Sequence, residues 1–160
     1  IETNIDGLYT YTVKIDDTHA EYYFLSEKEI CMTGSLGSLF AQFTITEAYD
    51  FSNFNTEQVT SMGSMFSGNN ALTSLDLSGF NTEKVTNMSG MFNGSIKLAT
   101  LDLSGFNTGN VTTMENMFKS CTKLKDVYAT PYFNASNAKQ TGMFANNVYV
   151  KSVSDFKVKY

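Results

Sequence analysis

A chain of 160 residues, 42% of them apolar, is long enough to bury one real core. Its 16 acidic residues outnumber 11 basic ones for a net charge of −5, and every basic residue is a lysine. Phosphate recognition leans on basic patches and on the forked guanidinium of arginine, so nucleic acids and anionic membrane surfaces are excluded as expected partners.

No apolar run reaches the roughly 18 residues of a membrane span, so direct membrane insertion is not expected. No secretory h-region is visible, and the chain opens on Ile1. It is expected to be a mature or excised piece of a larger multidomain chain. A pI near 4.8 with many Thr, Ser and Asn residues suits a secreted or cell-surface location.

Residues 1–27 are expected to form an N-terminal β cap. Tyr9, Tyr11, Val13 and Ile15 alternate with Leu8, Thr10, Thr12 and Lys14, as in a strand. Asp16-Asp17-Thr18-His19 has turn character, and Glu21-Tyr22-Tyr23-Phe24-Leu25 reads as the returning strand. A hairpin here would cover the otherwise open first coil of a repeat array.

From residue 28 the chain repeats. Leu75-Asp76-Leu77-Ser78-Gly79-Phe80-Asn81-Thr82 returns as Leu101-Asp102-Leu103-Ser104-Gly105-Phe106-Asn107-Thr108, a step of 26 (101 − 75). Val59-Thr60, Met62 and Met65-Phe66 return at Val85-Thr86, Met88 and Met91-Phe92, then at Val111-Thr112, Met114 and Met117-Phe118. The register reaches backward to Leu36-Gly37-Ser38-Leu39-Phe40 and to Tyr49-Asp50-Phe51-Ser52. It reaches forward to Met143-Phe144, Val150 and Val153. The solenoid is therefore expected over residues 28–154, about five coils, with 155–160 a second cap or the start of a linker.

Within one unit, Leu72, Leu75 and Leu77 have the spacing of a short strand with Asp76 on its other face. Met88, Met91 and Phe92 lie three and four apart, which predicts a turn or two of helix, with Thr60, Thr86 and Thr112 as N-caps and Glu115 completing a capping box. Gly68, Gly79, Gly94 and Gly105 supply turns. The fold class predicted is an α/β repeat solenoid of short strands and short helices. The Met rows are expected in the core, where thioethers fill irregular gaps. The Asn55, Asn81 and Asn107 row is expected to satisfy backbone groups at a bend.

The string Leu-Asp-Leu-Ser-Gly-Phe-Asn-Thr followed by Val-Thr-x-Met-x-x-Met-Phe, at Leu75 to Phe92 and Leu101 to Phe118, resembles the repeat of BspA-like leucine-rich-repeat bacterial surface proteins. The resemblance implies a right-handed, leucine-rich-repeat-like coil at the bacterial envelope or exterior. It further implies a function in adhesion or host contact, and names no ligand.

No catalytic constellation is apparent, and neither an enzyme nor a cofactor is expected. His19 is the single histidine, so no Ser-His or Cys-His pair can draw on a second imidazole. Cys31 and Cys121 differ in coil and in place around it; three coils at about 4.8 Å separate them by roughly 14 Å. A disulfide needs Cα atoms within about 7 Å, so both thiols are expected free and no Cys/His metal site is expected. Asp50, Asp76 and Asp102 form a column that admits two readings, a Ca²⁺ site or a solvated acidic stripe.

Binding is the expected function, because outward strand residues of a solenoid form rows. The candidate site residues are Thr73, Asp76, Thr100, Asp102, Lys125, Tyr128 and Lys151. Lys125, Tyr128 and Lys151 depart from the small polar groups of the middle coils. The expected partner is a surface protein or glycan of a host or neighbouring cell; the alternative is a structural spacer.

Overall fold

The computed structural model describes residues 3–5, 8–14, 20–25, 30–42 and 51–159. Strands β1 (Thr3–Ile5), β2 (Leu8–Lys14) and β3 (Ala20–Leu25) form an antiparallel sheet in chain order. The β2–β3 pairing runs from Tyr9↔Leu25 to Lys14↔Ala20, the hairpin that the alternation predicts, and β1 adds a strand the alternation does not mark. The expected turn at Asp16 to His19 lies outside the described residues.

The repeat begins at β4 (Ile30–Ser35), which pairs in parallel with β5 (Phe54–Ser61). Its step grows from 24 (54 − 30) to 26 (61 − 35) through two register shifts. The regular coils contribute β6 (Ser74–Asp76), β7 (Thr100–Leu103) and β8 (Asp126–Ala129), parallel neighbours at steps of 26. Leu75, Leu101 and Val127 point into the core and Asp76, Asp102 and Tyr128 outward, the pleat that alternation demands.

The architecture is a β-solenoid of about five turns with almost no helix, which corrects the α/β expectation. Among the described residues the only helical element is a 3₁₀ turn at Val153–Asp155. The Met-x-x-Met-Phe segments, expected as helices, are chains of tight turns. Met62 accepts from the Met65 N–H at 3.3 Å and Ser64 from Ser67 at 3.1 Å. Two left-handed residues recur in every such segment. One row is Ser38, Ser64, Gly90, Asn116 and Gly142; the other is Gln42, Gly68, Gly94, Ser120 and Asn146. A right-handed helix cannot pass through positive φ.

The N–H groups a helix would use internally instead join neighbouring coils. Met62, Ser64, Phe66 and Gly68 donate to the carbonyls of Asn87, Ser89, Met91 and Asn93, each at 2.8–2.9 Å. The next coil repeats the pattern from Met88 to Thr113 through Gly94 to Lys119. These bonds meet the requirement that buried backbone polar groups be paired.

The threonines expected as N-caps have another role. Thr86 and Thr112 donate both N–H and hydroxyl to the carbonyl of the threonine one coil earlier, and the Thr60 hydroxyl reaches the Gly34 carbonyl. Glu115 pairs with Thr113, not with Thr112.

The core is a stack of like residues. Met62, Met65, Met88, Met91, Met114 and Met117 are fully buried, as the row reading predicts. Phe40, Phe66, Phe92, Phe118 and Phe144 form a column of near-parallel rings with centroids 5.4–5.8 Å apart. Such offset aromatic pairs contribute about 0.5–1.5 kcal/mol each beyond burial.

Two ladders of small polar groups run beside the column. The buried hydroxyls of Thr56, Thr82 and Thr108 donate to the carbonyls of Asn81, Asn107 and Asn134. Asn69 Nδ2, Ser95 Oγ and Cys121 Sγ reach back 29 residues to the carbonyls of Phe40, Phe66 and Phe92, at 2.7, 2.9 and 3.0 Å. The outer asparagines Asn55, Asn81, Asn107 and Asn134 each accept from the N–H two residues on, so they close Asx turns within their own coil. Cys31 and Cys121 are both free thiols, the first exposed and the second buried.

At the C-terminal end the 26-residue step fails. Val150 is buried in the row of Leu72, Leu98 and Leu124, as expected. Val153, expected beside Val127, instead lies in the 3₁₀ turn, where the Ser152 carbonyl accepts the Asp155 N–H. Three extra residues pass before β9 (Lys157–Val158) joins β8 in parallel at Tyr128↔Lys157, a step of 29 (157 − 128). Phe156 then meets Phe118, Phe144 and Phe133 at 5.3–6.2 Å.

Candidate binding face

The outward face of β6, β7, β8 and β9 brings together six of the seven candidate residues. Ser74, Thr100 and Asp126 form one row, and Asp76, Asp102, Tyr128 and Lys157 the next. Thr73 and Lys125 border the strands: the Thr73 carbonyl accepts from the N–H groups of Ala99 and Thr100, and the Ala99 carbonyl from those of Lys125 and Asp126. Thr73, Asp76 and Lys125 are exposed, whereas Thr100, Asp102 and Tyr128 are half-buried.

Lys151 does not join this face. Its N–H donates to Asp155 at 2.8 Å and its ammonium bonds the Asn147 carbonyl within its own coil. The 3₁₀ turn displaces the row expected to run through it.

Two lysines that residue counting misses occupy the place instead. Lys157 pairs with Asp126 at 2.5 Å and Lys159 pairs with Asp102, while both ammonium groups lie 5.4–5.5 Å from the Tyr128 ring centroid. Tyr128 thus lies beneath two cations, a favourable contact for a π face. The Lys157-Val158-Lys159 alternation is a strand signal in itself; only its shifted register hides it.

These contacts set the charge states. Burial pushes the Asp102 carboxyl up, but hydrogen bonds from Lys159 and Ser104, with the Lys159 charge, carry it below the usual carboxylate range. The hydrogen bond from Lys157 is the main cause that lowers Asp126. Lys157 and Lys159 are raised in turn, chiefly by their bonds to Asp126 and Asp102.

The Asp column has a local explanation. Asp76 Oδ1 and Asp102 Oδ1 each accept the N–H two residues on, from Ser78 and Ser104 at 2.9 Å, and so turn the chain at the strand end. The other Asp102 oxygen is held by Lys159. Asp50 lies outside the described residues. Among the described residues no three His, Cys, Asp or Glu side chains cluster as a metal site would require. Also among these residues, no helix is long and apolar enough to cross a membrane.

No curated protein and no solved structure matches the chain. The family model described as "Mycoplasma protein of unknown function, DUF285" matches residues 34–156, most of the chain and nearly all of the solenoid, so the chain belongs to the DUF285 family.

Proposed function

We propose that this chain is a non-catalytic cell-surface module that engages a partner protein or glycan through the exposed face of its parallel sheet. The observation that carries this reading is the Tyr128 ring, set on an otherwise small and polar face among Asp102, Asp126, Lys157 and Lys159. Aromatic side chains among polar groups supply large contact area at low entropic cost. The likeness of the repeat to BspA-like leucine-rich repeats supports an extracellular, bacterial-envelope setting. Two carboxylates of the face, Asp102 and Asp126, are held ionised, so neither is poised as a general acid.

An array of host extracellular proteins and glycans, probed with the chain, tests the reading. The Lys125→Ala, Tyr128→Ala double variant should lose roughly tenfold in affinity for whatever partner the array reveals. Unchanged affinity in a variant with an intact fold refutes the assignment of the face. One observation favours a second reading, a structural spacer: Asp102, Asp126, Lys157 and Lys159 already satisfy one another's charges within the chain. Absence of any specific partner on the array would support it.

A further inference from the structure

The net charge of −5 conceals a separation of charge along the chain. Residues 1–50 hold 9 acidic side chains and 2 lysines, a net of −7, whereas residues 51–160 hold 7 acidic side chains and 9 lysines, a net of +2. Within that second part the lysines are unequally placed.

One corner of the coil, between the tight-turn segment and the strand, is built from residues 67–73, 93–99, 119–125 and 145–151. Bonds between coils stack these stretches. The Gly94 N–H donates to the Lys119 carbonyl at 2.8 Å, the Thr122 hydroxyl to the Ile96 carbonyl at 3.4 Å and Asn146 Nδ2 to Ser120 Oγ at 3.1 Å. The four stretches contain Lys97, Lys119, Lys123, Lys125 and Lys151 and not one acidic residue.

Among the described residues, the ammonium groups of Lys97, Lys119, Lys123 and Lys125 make no hydrogen bond or ion pair. The fifth, Lys151, bonds the Asn147 carbonyl. Elsewhere Lys84 bonds Gln58 at 2.7 Å and Lys157 and Lys159 hold carboxylates, while Lys139 stands apart with no such partner among the described residues. Unpaired like charges repel, and a partner of opposite sign would relieve that repulsion. Apolar groups lie among them: Ile96 is exposed, and Val148 and Tyr149 are more than half exposed. Lys97, Lys123 and Tyr149 occupy one row at steps of 26, so the row spans two coils, or about 10 Å.

We propose that this corner binds a linear anionic polysaccharide along the solenoid axis, with Lys97, Lys119 and Lys123 meeting its carboxylate or sulfate groups and Tyr149 packing against a sugar ring. The chemistry favours that polymer. Lysine meets an anion as a point charge, which suits single acidic groups spaced along a chain, and the exposed Ile96, Val148 and Tyr149 among the lysines suit a polymer that also presents sugar faces. A row of charges at a corner follows a strand-like polymer, and an aromatic ring at its end offers a face to sugar C–H groups. The site is separate from the sheet face that carries Tyr128.

The test uses the 160-residue chain, immobilised heparin oligosaccharide and polyuronate oligosaccharide, at low ionic strength. The chain should bind at least one, and raising the salt should release it. The Lys97→Gln, Lys119→Gln, Lys123→Gln variant should lose roughly tenfold in affinity, the sum of three charge contacts, two at exposed lysines and one at the half-buried Lys119. Tyr149→Ala should also weaken binding. Lys84→Gln with Lys139→Gln, off the corner, should leave binding unchanged. The proposal is overturned if neither oligosaccharide binds. Equal losses in both lysine sets, which would mean net charge alone, overturn it too. Equal affinity for polyphosphate or for vesicles of phosphatidylserine and phosphatidylcholine likewise assigns the corner to another anion and overturns it.

Discussion

Replacing Cys121 by serine and, separately, by valine tests the polar ladder inside the solenoid. The Cys121 thiol is buried and donates to the Phe92 carbonyl at 3.0 Å, at the place where one coil earlier the Ser95 hydroxyl donates to the Phe66 carbonyl at 2.9 Å. Ordinary core logic ranks valine above serine, because a free cysteine behaves as a small apolar residue. The ladder reverses the order. Serine would make a stronger donor in a geometry the chain already uses, and should match the parent or exceed it by up to about 1 kcal/mol. Valine removes the donor and leaves the Phe92 carbonyl with the Ser95 N–H alone, at a cost of about 1 kcal/mol. The two variants should therefore differ by about 1–2 kcal/mol, roughly 0.5–1 M in the midpoint of urea unfolding at unchanged slope. Burial pushes the Cys121 thiol up to about 12, so in a Cys31→Ala background its alkylation in the folded protein should be limited by opening of the coil. A valine variant as stable as the serine variant would refute the ladder as a source of stability.

Two glycines in equivalent places should answer differently to alanine. A Cβ on Gly105 would lie 2.1 Å from the Ser78 carbonyl oxygen, whereas one on Gly79 meets nothing within 4 Å. Gly105→Ala should cost about 1–3 kcal/mol by thermal or urea unfolding and Gly79→Ala should be nearly neutral; equal effects would contradict the packing of these coils. The tail that carries β9 should open at both extremes of pH. Asp102 and Asp126 are lowered, so their contribution is complete above about 3.9 and is lost as pH falls through the depressed folded values. Lys157 and Lys159 are raised, so theirs is complete below about 10.4 and is lost as pH rises through the elevated values. The Val158 methyl resonances should stay constant between these limits and move outside them; a transition near neutral pH would show that other groups hold the tail.

Much of this fold is legible from residue counting. The 26-residue step places the strands at Ser74, Thr100 and Asp126, buries the methionine rows and keeps the two cysteines apart. The helices fail because Met88, Met91 and Phe92 satisfy a helical period and a chain of turns equally well. What separates the two is the residue between them. Gly90, Asn116 and Gly142 in one row, and Gly68, Gly94 and Asn146 in the other, are the types that tolerate left-handed backbone. The column of aspartates reads as a ligand set until Asp76 and Asp102 are each seen to close a turn of their own.

The outward sheet face that carries the candidate residues is legible in its middle and lost at its end. Thr73, Asp76, Thr100, Asp102, Lys125 and Tyr128 follow from the step of 26, but Lys151 does not. Ser152 and Asp155 close a 3₁₀ turn that consumes three residues and brings Lys157 and Lys159 over Tyr128. The Ser-x-x-Asp spacing of that turn is a capping-box signal, and it marks where counting by 26 must stop.

The hydrogen bonds between coils give the gene a unit of account. Each tight-turn segment of the regular coils joins the carbonyls of the segment 25 residues on, and β6, β7 and β8 pair at steps of 26. Gain or loss of 26 codons would leave every ring of the phenylalanine column over another and every threonine hydroxyl facing a carbonyl. A change of one codon would shift all of these partners together, unless the surplus were expelled at a corner. One slip of this kind occurs and is cancelled within its own coil: the step from Asn107 to Asn134 is 27 (134 − 107), and Tyr132, beside Pro131, stands out in solvent with 71% of its surface exposed. The stretch that follows is one residue shorter, so the step is again 26 (139 − 113) where Thr113 meets Lys139. A protein built on this plan can change its reach in whole coils without redesigning its interior, whereas a single-residue slip is kept here only with a second slip that cancels it.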